Sequence, residues 1–169
     1  VAITLAAGST PTEGGITTLS IAVNPATGGA PIQTVTIAYG DGSSDDLGSV
    51  TGTVTVQHVY GDDGSYTPTV TALDTTGTST TASTVIFVQP LLVSVSASKS
   101  GNTATFTANV SPAGSAIASY AWNFGDGTSQ TTSANSTSHT YVPGTYTVRV
   151  TARTSTGHTS SGSASIAIP

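Results

Sequence analysis

The chain carries one order of motifs twice, and this duplication narrows the open folds more than any other feature. The first half runs Tyr39-Gly40-Asp41-Gly42, His58-Val59-Tyr60, then Gly64-Ser65-Tyr66-Thr67-Pro68-Thr69-Val70-Thr71-Ala72, and closes on Gly77. The second half answers with Phe124-Gly125-Asp126-Gly127, His139-Thr140-Tyr141, then Gly144-Thr145-Tyr146-Thr147-Val148-Arg149-Val150-Thr151-Ala152, and closes on Gly157. The offset is 85 residues at Tyr39/Phe124, 81 at His58/His139 and 80 from Gly64/Gly144 to Gly77/Gly157, while the earlier pair Val23/Val110 is 87 apart. The offset drifts only where loops can absorb insertions. Two modules follow, 1–89 and 90–169, each near the lower end of the size that supports a single core.

Within each module the period is two. Thr53-Val54-Thr55-Val56, Thr103-Ala104-Thr105-Phe106-Thr107-Ala108 and Tyr146-Thr147-Val148-Arg149-Val150 alternate apolar with hydroxyl-bearing or charged residues, the mark of a strand with one buried face. Gly28-Gly29, Asp41-Gly42, Asp63-Gly64, Gly101-Asn102, Asp126-Gly127 and Pro143-Gly144 punctuate these runs with turn chemistry. No stretch keeps a helical period. The pattern predicts strands near 1–6, 16–23, 32–39, 52–58, 65–73 and 79–88, then 91–98, 102–110, 117–124, 136–141, 145–153 and 160–168, forming antiparallel sandwiches of about seven strands. Phe87-Val88-Gln89-Pro90-Leu91-Leu92 at the junction has no flexible tract, so a stiff, elongated tandem is expected.

Composition excludes several functions. Only 7% of the 169 residues are charged, and Ser plus Thr, about a third of the chain, must wet the surface instead. Three Lys and Arg against eight Asp and Glu leave no basic patch for nucleic acid. With no Cys there is neither a disulfide framework nor a thiolate metal site. Apolar runs such as Val85-Ile86-Phe87-Val88 fall far short of a membrane-spanning helix, so no membrane insertion is expected. A start at Val1, without an initiator Met or signal peptide, points to a processed or excised segment.

Ala121-Trp122-Asn123-Phe124-Gly125-Asp126-Gly127, followed by His139-Thr140-Tyr141 and Gly144-Thr145-Tyr146, resembles the PKD domain, an immunoglobulin-like sandwich. The resemblance covers all of the second module. The first is similar but looser, with Ile37-Ala38-Tyr39 in place of the tryptophan-bearing strand. The implied fold is all-β: two tandem immunoglobulin-like, PKD-type antiparallel β-sandwiches. The motif residues then hold the fold: Tyr39, Asp41, His58, Tyr60 and Tyr66 in the first module, Trp122, Phe124, Asp126, His139, Tyr141 and Tyr146 in the second. Trp122 and Phe124 share a strand face with Tyr120 and should fill the core. Asp126 in its glycine turn should accept backbone amides, and the tyrosines should bond back to the main chain. His58 and His139 should hydrogen-bond locally, while His158 has no counterpart in the first module and reads as an exposed loop residue.

Two readings compete for the acidic loop. Turn chemistry and solvated charge account for it; the alternative is a Ca²⁺ site at Asp41, Asp45 and Asp46, with Asp62-Asp63 following. No other cofactor is called for. There is no Gly-x-Ser-x-Gly elbow, Glu13 is the only Glu, and a thin sandwich offers no deep pocket, so no catalytic residue is assigned. One core Trp leaves too few aromatics for a sugar platform. Asn109-Val110-Ser111 and Asn135-Ser136-Thr137 fit the N-glycosylation pattern.

Charge divides between the modules. The first holds Glu13, Asp41, Asp45, Asp46, Asp62, Asp63 and Asp74 with no Lys or Arg, a formal −7; Lys99, Arg149 and Arg153 against Asp126 make the second +2. Such a tandem can attract its own copies head to tail. The expected function is a non-catalytic extracellular or cell-surface structural and interaction module. It would serve as the spacer or adhesive part of a surface protein, or as the subunit of an extracellular filament, with proteins as partners. The alternatives are a substrate-presenting, possibly carbohydrate-binding accessory module of a secreted hydrolase, and a decoration domain on a phage particle.

Overall fold

A computed structural model describes residues 1–8 and 10–169, and divides the chain into two units, Val1–Gln89 and Pro90–Pro169. The described residues of the first unit form nine strands: β1 (Ala2–Ala7), β2 (Ile16–Asn24), β3 (Ile32–Ala38), β4 (Ser44–Gly48), β5 (Gly52–Val59), β6 (Gly64–Tyr66), β7 (Thr69–Asp74), β8 (Ser79–Ser83) and β9 (Ile86–Val88). They form an antiparallel sheet β1-β2-β5, an antiparallel sheet β4-β3-β7-β8 and a short β6-β9 pair. The second unit repeats the two sheets as β10-β11-β14 and β13-β12-β15-β16. Its strands are β10 (Leu92–Ser100), β11 (Thr103–Ser111), β12 (Ile117–Asn123), β13 (Ser129–Thr132), β14 (Ser136–Thr140), β15 (Gly144–Thr154) and β16 (Thr159–Ile168). Among the described residues no helix is long and apolar enough to cross a membrane.

The sandwich architecture matches the period-two pattern, with three local differences. β4 and β13, Ser-Asp-Asp-Leu-Gly and Ser-Gln-Thr-Thr, lack the apolar alternation that marks a half-buried strand and lie at sheet edges. The expected strand at 65–73 breaks into β6 and β7 around Thr67-Pro68, because Pro68 has no N–H for the ladder. Val148, the equivalent of Pro68, instead pairs with Ala164 in a continuous β15. The expected strand at 79–88 splits in step into β8 and β9.

Each unit buries its own core. In the first it is built on Leu19, Ile21, Val35, Ile37, Tyr39, Tyr60 and Val70; in the second on Phe106, Trp122, Phe124, Tyr141, Val148 and Val150. Aligned positions exchange volume: Leu19 for Phe106, Ile21 for Ala108, Ile37 for Trp122. Large residues therefore face small ones in different combinations within one frame.

One core position is out of keeping. Thr17 is 1% exposed on the inward face of β2, and its hydroxyl has no hydrogen-bond partner among the described residues. The aligned residue of the second unit is Ala104, fully buried. A buried hydroxyl without a partner costs about 1–3 kcal/mol. Thr17→Val, which keeps the shape and removes the hydroxyl, is expected to stabilise the first unit by about 1 kcal/mol, a rise of about 4–8 °C in its melting temperature. A calorimetric scan showing no rise would remove this account of Thr17.

Candidate functional site

The same polar and aromatic cluster recurs at one end of each sandwich. A tight turn after β3 presents Asp41, whose Oδ1 accepts Ser43 N (3.0 Å) and Ser43 Oγ (2.6 Å). Oδ2 of Asp41 faces His58 Nε2 on β5 at 2.6 Å, joining the two sheets. The His58 ring stacks on Tyr39 at 3.9 Å and 8°, and meets Tyr60 edge-on at 4.6 Å and 88°. Tyr60 donates its hydroxyl to the Tyr39 carbonyl (3.0 Å) and packs on Tyr66 at 4.4 Å. Tyr66 in turn donates to the carbonyl of Asp62 at 3.0 Å.

The second unit repeats every contact. Asp126 Oδ1 accepts Thr128 N (3.0 Å) and Oγ1 (2.6 Å), and Oδ2 faces His139 Nε2 at 2.7 Å. His139 stacks on Phe124 at 4.1 Å and 5°, and stands edge-on to Tyr141 at 4.6 Å and 85°. Tyr141 donates to the Phe124 carbonyl (3.1 Å), and Tyr146 to that of Val142 (3.1 Å). Trp122 lies outside the latch, 1% exposed, with its indole N–H on Thr132 Oγ1 at 3.0 Å. Tyr120 shares its buried face.

Asp, His and a hydroxyl thus converge, but not as a nucleophile and base. A catalytic histidine serves its carboxylate with one ring nitrogen and the nucleophile with the other. Here Asp41 and Ser43 both address Nε2 of His58, Ser43 from 3.5 Å, and Ser43 gives its proton to Asp41. Because an ionised carboxylate only accepts, Nε2 carries a hydrogen and cannot take one from Ser43. The cluster is wired to lock a turn to the opposite sheet.

Its electrostatics agree. Burial pushes the Asp41 carboxyl up, but hydrogen bonds from Ser43 Oγ, Ser43 N and His58 outweigh it and hold the pKa down at about 2. The Thr128 hydroxyl and His139 hold Asp126 well below the usual carboxylate range. Burial, and then the charge of the nearby Asp, raises Tyr60 and Tyr141 to about 12. A carboxylate depressed in the folded state stabilises the fold above its unfolded pKa, about 3.9, and loses that contribution as pH falls through the folded value. Both units are therefore expected to lose stability from about pH 4 down to about pH 2. Asp41→Asn with Asp126→Asn should start lower and show a flatter decline when melting is followed by circular dichroism. An unchanged slope would separate the acid response from the latch.

Each of the three carboxylates considered for calcium already accepts hydrogen bonds within the first unit. Asp41 is taken by His58 and Ser43; Asp45 accepts the Tyr39 hydroxyl at 2.6 Å; Asp46 accepts Thr34 Oγ1 and Gly48 N, each at 2.8 Å. Asp45 and Asp46 sit on β4 rather than in a loop, and consecutive strand residues point to opposite faces. Among the described residues no three His, Asp or Glu side chains come together in a metal-holding group. His158 is half-buried rather than exposed, and its carbonyl accepts Thr154 N at 2.8 Å across the β15–β16 turn. Asn109 is exposed on β11, its Nδ2 donating to Ser96 Oγ at 3.2 Å. Asn135 Nδ2 donates to Ala108 O at 3.1 Å. Ser43 and Thr128 are the latch members that sequence reasoning missed. The signal was present as a hydroxyl two residues after the turn Asp in both modules.

Two sheets over an aromatic core, a Tyr hydroxyl returned to the main chain, and a histidine-locked Gly-Asp-Gly turn define an immunoglobulin-like module, present twice. The chain belongs to the PKD domain family, whose model matches residues 3–88 and again 89–168. The PKD1 domain of the Vibrio cholerae metalloprotease PrtV is similar at 22% identity and TM-score 0.42, over 46% of this chain and 95% of that one. The PKD1 domain of Vibrio anguillarum Epp is similar at 25% and 0.41, over 47% and 94%. A two-domain fibronectin type III segment of chicken tenascin is similar at 18% and 0.43, over 97% of each chain. No curated protein matches the chain. PKD domains are often non-catalytic modules of surface or secreted proteins.

Proposed function

We propose that this chain is a non-catalytic structural and interaction module working outside the cell, as a spacer or adhesive segment or as the repeating subunit of a filament. The latch carries this reading. In both units the His, Asp and hydroxyl that might have done chemistry are consumed in fastening a turn to the facing sheet. Ladder hydrogen bonds between long antiparallel strands, such as the ten register pairs of β15 with β16, suit such a chain to bearing load. Electron microscopy of the purified chain tests the two forms. Ordered polymers support the filament, dispersed particles the spacer, and turnover of a protein or polysaccharide substrate by the isolated chain would sink the non-catalytic reading.

A second reading, as a substrate-presenting accessory module, draws on one cavity. A pocket of about 340 Å³ in the second unit is lined by Tyr120, Asn109, Asn135, Ser115, Ile117 and Val110 among others. Tyr120 is only 8% exposed. Chemical-shift changes confined to these residues on titration with soluble oligosaccharides would favour this reading over the first.

A further inference from the structure

The two units differ in where, among the described residues, they carry charged side chains that form no ion pair. In the first, the carboxylates of Asp41, Asp45, Asp46 and Asp74 are all hydrogen-bonded within their own unit. Those of Asp62 and Asp63, adjacent and exposed on the β5–β6 turn, accept no hydrogen bond among the described residues. The turn itself is held, because the Asp62 carbonyl receives the Tyr66 hydroxyl. In the second unit the matching carbonyl is that of Val142, which is 71% exposed and bears no charge. The only carboxylate side chain there, Asp126, is spent on His139 and Thr128.

The second unit carries its unused charge on a different surface. Arg149 and Arg153 project from the outer face of β15, four residues apart and so about 13 Å along the strand. Their neighbours are small and uncharged: Asn123 and Ser163 flank Arg149, Ser119 and Thr159 flank Arg153. Among the described residues neither guanidinium meets a carboxylate, and Arg149 donates only to Ser161 Oγ. The aligned positions on β7 are Thr69 and Leu73. One unit thus presents two free acids on a turn and the other two free arginines on a sheet face, at positions that do not correspond.

Resting on the interaction-module reading above, we infer that the Arg149/Arg153 face of one copy receives the Asp62-Asp63 turn of a second copy. Because the two surfaces are non-equivalent, the contact is heterologous. Each copy keeps a free turn and a free face after the first contact, and repetition builds a linear or ring assembly rather than a two-fold dimer. Planar guanidiniums suit the carboxylates, and the small hydroxyl neighbours let the turn approach without obstruction. Pairs this exposed govern association rate and salt sensitivity more than lifetime.

The test is sedimentation of the full chain at about 0.01 M and about 1 M salt, where the screening length falls from about 30 to about 3 Å. The wild-type chain should associate at low salt and disperse at high salt. Arg149→Glu with Arg153→Glu, and separately Asp62→Lys with Asp63→Lys, should each weaken low-salt association by about tenfold or more while keeping the wild-type melting profile. Mixing the two variants should restore it, since the Arg face meets the native Asp turn and the Lys turn meets the Glu face. If the Arg-reversed chain polymerises like wild type, this joint is overturned while the filament stands. A wild-type chain that stays monomeric at low salt also overturns the joint, and the spacer remains.

Discussion

Gly125→Ala is expected to unfold the second unit, whereas Gly127→Ala, two residues on in the same turn, should leave it folded. Both glycines have positive φ, +81° and +91°. A side chain in that region costs about 1–2 kcal/mol through Cβ crowding against the backbone. That is the whole cost at Gly127, where an added Cβ has nothing within 4 Å. At Gly125 the same Cβ would lie 2.5 Å from the Thr147 carbonyl oxygen and 3.1 Å from its carbon and nitrogen. These atoms belong to β15, where Thr147 pairs with Ser165 of β16 and the ladder to β12 begins two residues on, at Arg149 and Asn123. Neither turn nor strand can yield without breaking the Asp126 latch or the sheet. An 80-residue unit has about 4–12 kcal/mol to lose. Urea titration followed by Trp122 fluorescence should show no folded baseline for Gly125→Ala, and a midpoint shift of about 1–2 kcal/mol for Gly127→Ala. Similar midpoints would mean that the turn tolerates displacement. Gly40, at φ +88° with Thr67 N 2.9 Å from its Cβ position, should repeat the result in the first unit.

The sandwich was legible because its strands alternate and its turns are spelled in glycine. β15 and β16 alternate along most of their length, and an exposed face of Thr and Ser against a buried face of Val, Ala and Ile admits little but a strand. β4 and β13 were not legible, because an edge strand with few buried side chains is held by ladder bonds alone and these leave no hydropathy signature. The latch was half legible. Its members stand out as repeated Asp, His and Tyr, but the bond from Asp41 to His58 spans 17 residues and joins different sheets. Only three-dimensional pairing brings them together. The Arg149/Arg153 face was hidden for a related reason. Counting gave the unit its charge, but only strand parity and the cross-strand register place both arginines on one side among hydroxyls.

Trp122→Ala carries the other large effect, about 3–5 kcal/mol in the second unit. The side chain is 1% exposed in a cluster with Phe106, 6.5 Å away between centroids, and Phe124. Truncation removes the largest buried group and opens a cavity that flanking strands cannot close. The lost hydrogen bond matters less, because Thr132 Oγ1 keeps its own bond to Ala134 O at 2.6 Å. Trp122→Phe should therefore cost clearly less than Trp122→Ala. The first unit shows how the space can be filled without tryptophan, with Ile37 at the aligned position and Ile21 where the second unit has Ala108. Trp122→Ile alone should cost about 3 kcal/mol, and adding Ala108→Ile should recover about 1 kcal/mol, a coupling that distant sites do not show. Additive losses in the double-mutant cycle would mean that the two cores, although built on one frame, do not solve the same packing problem.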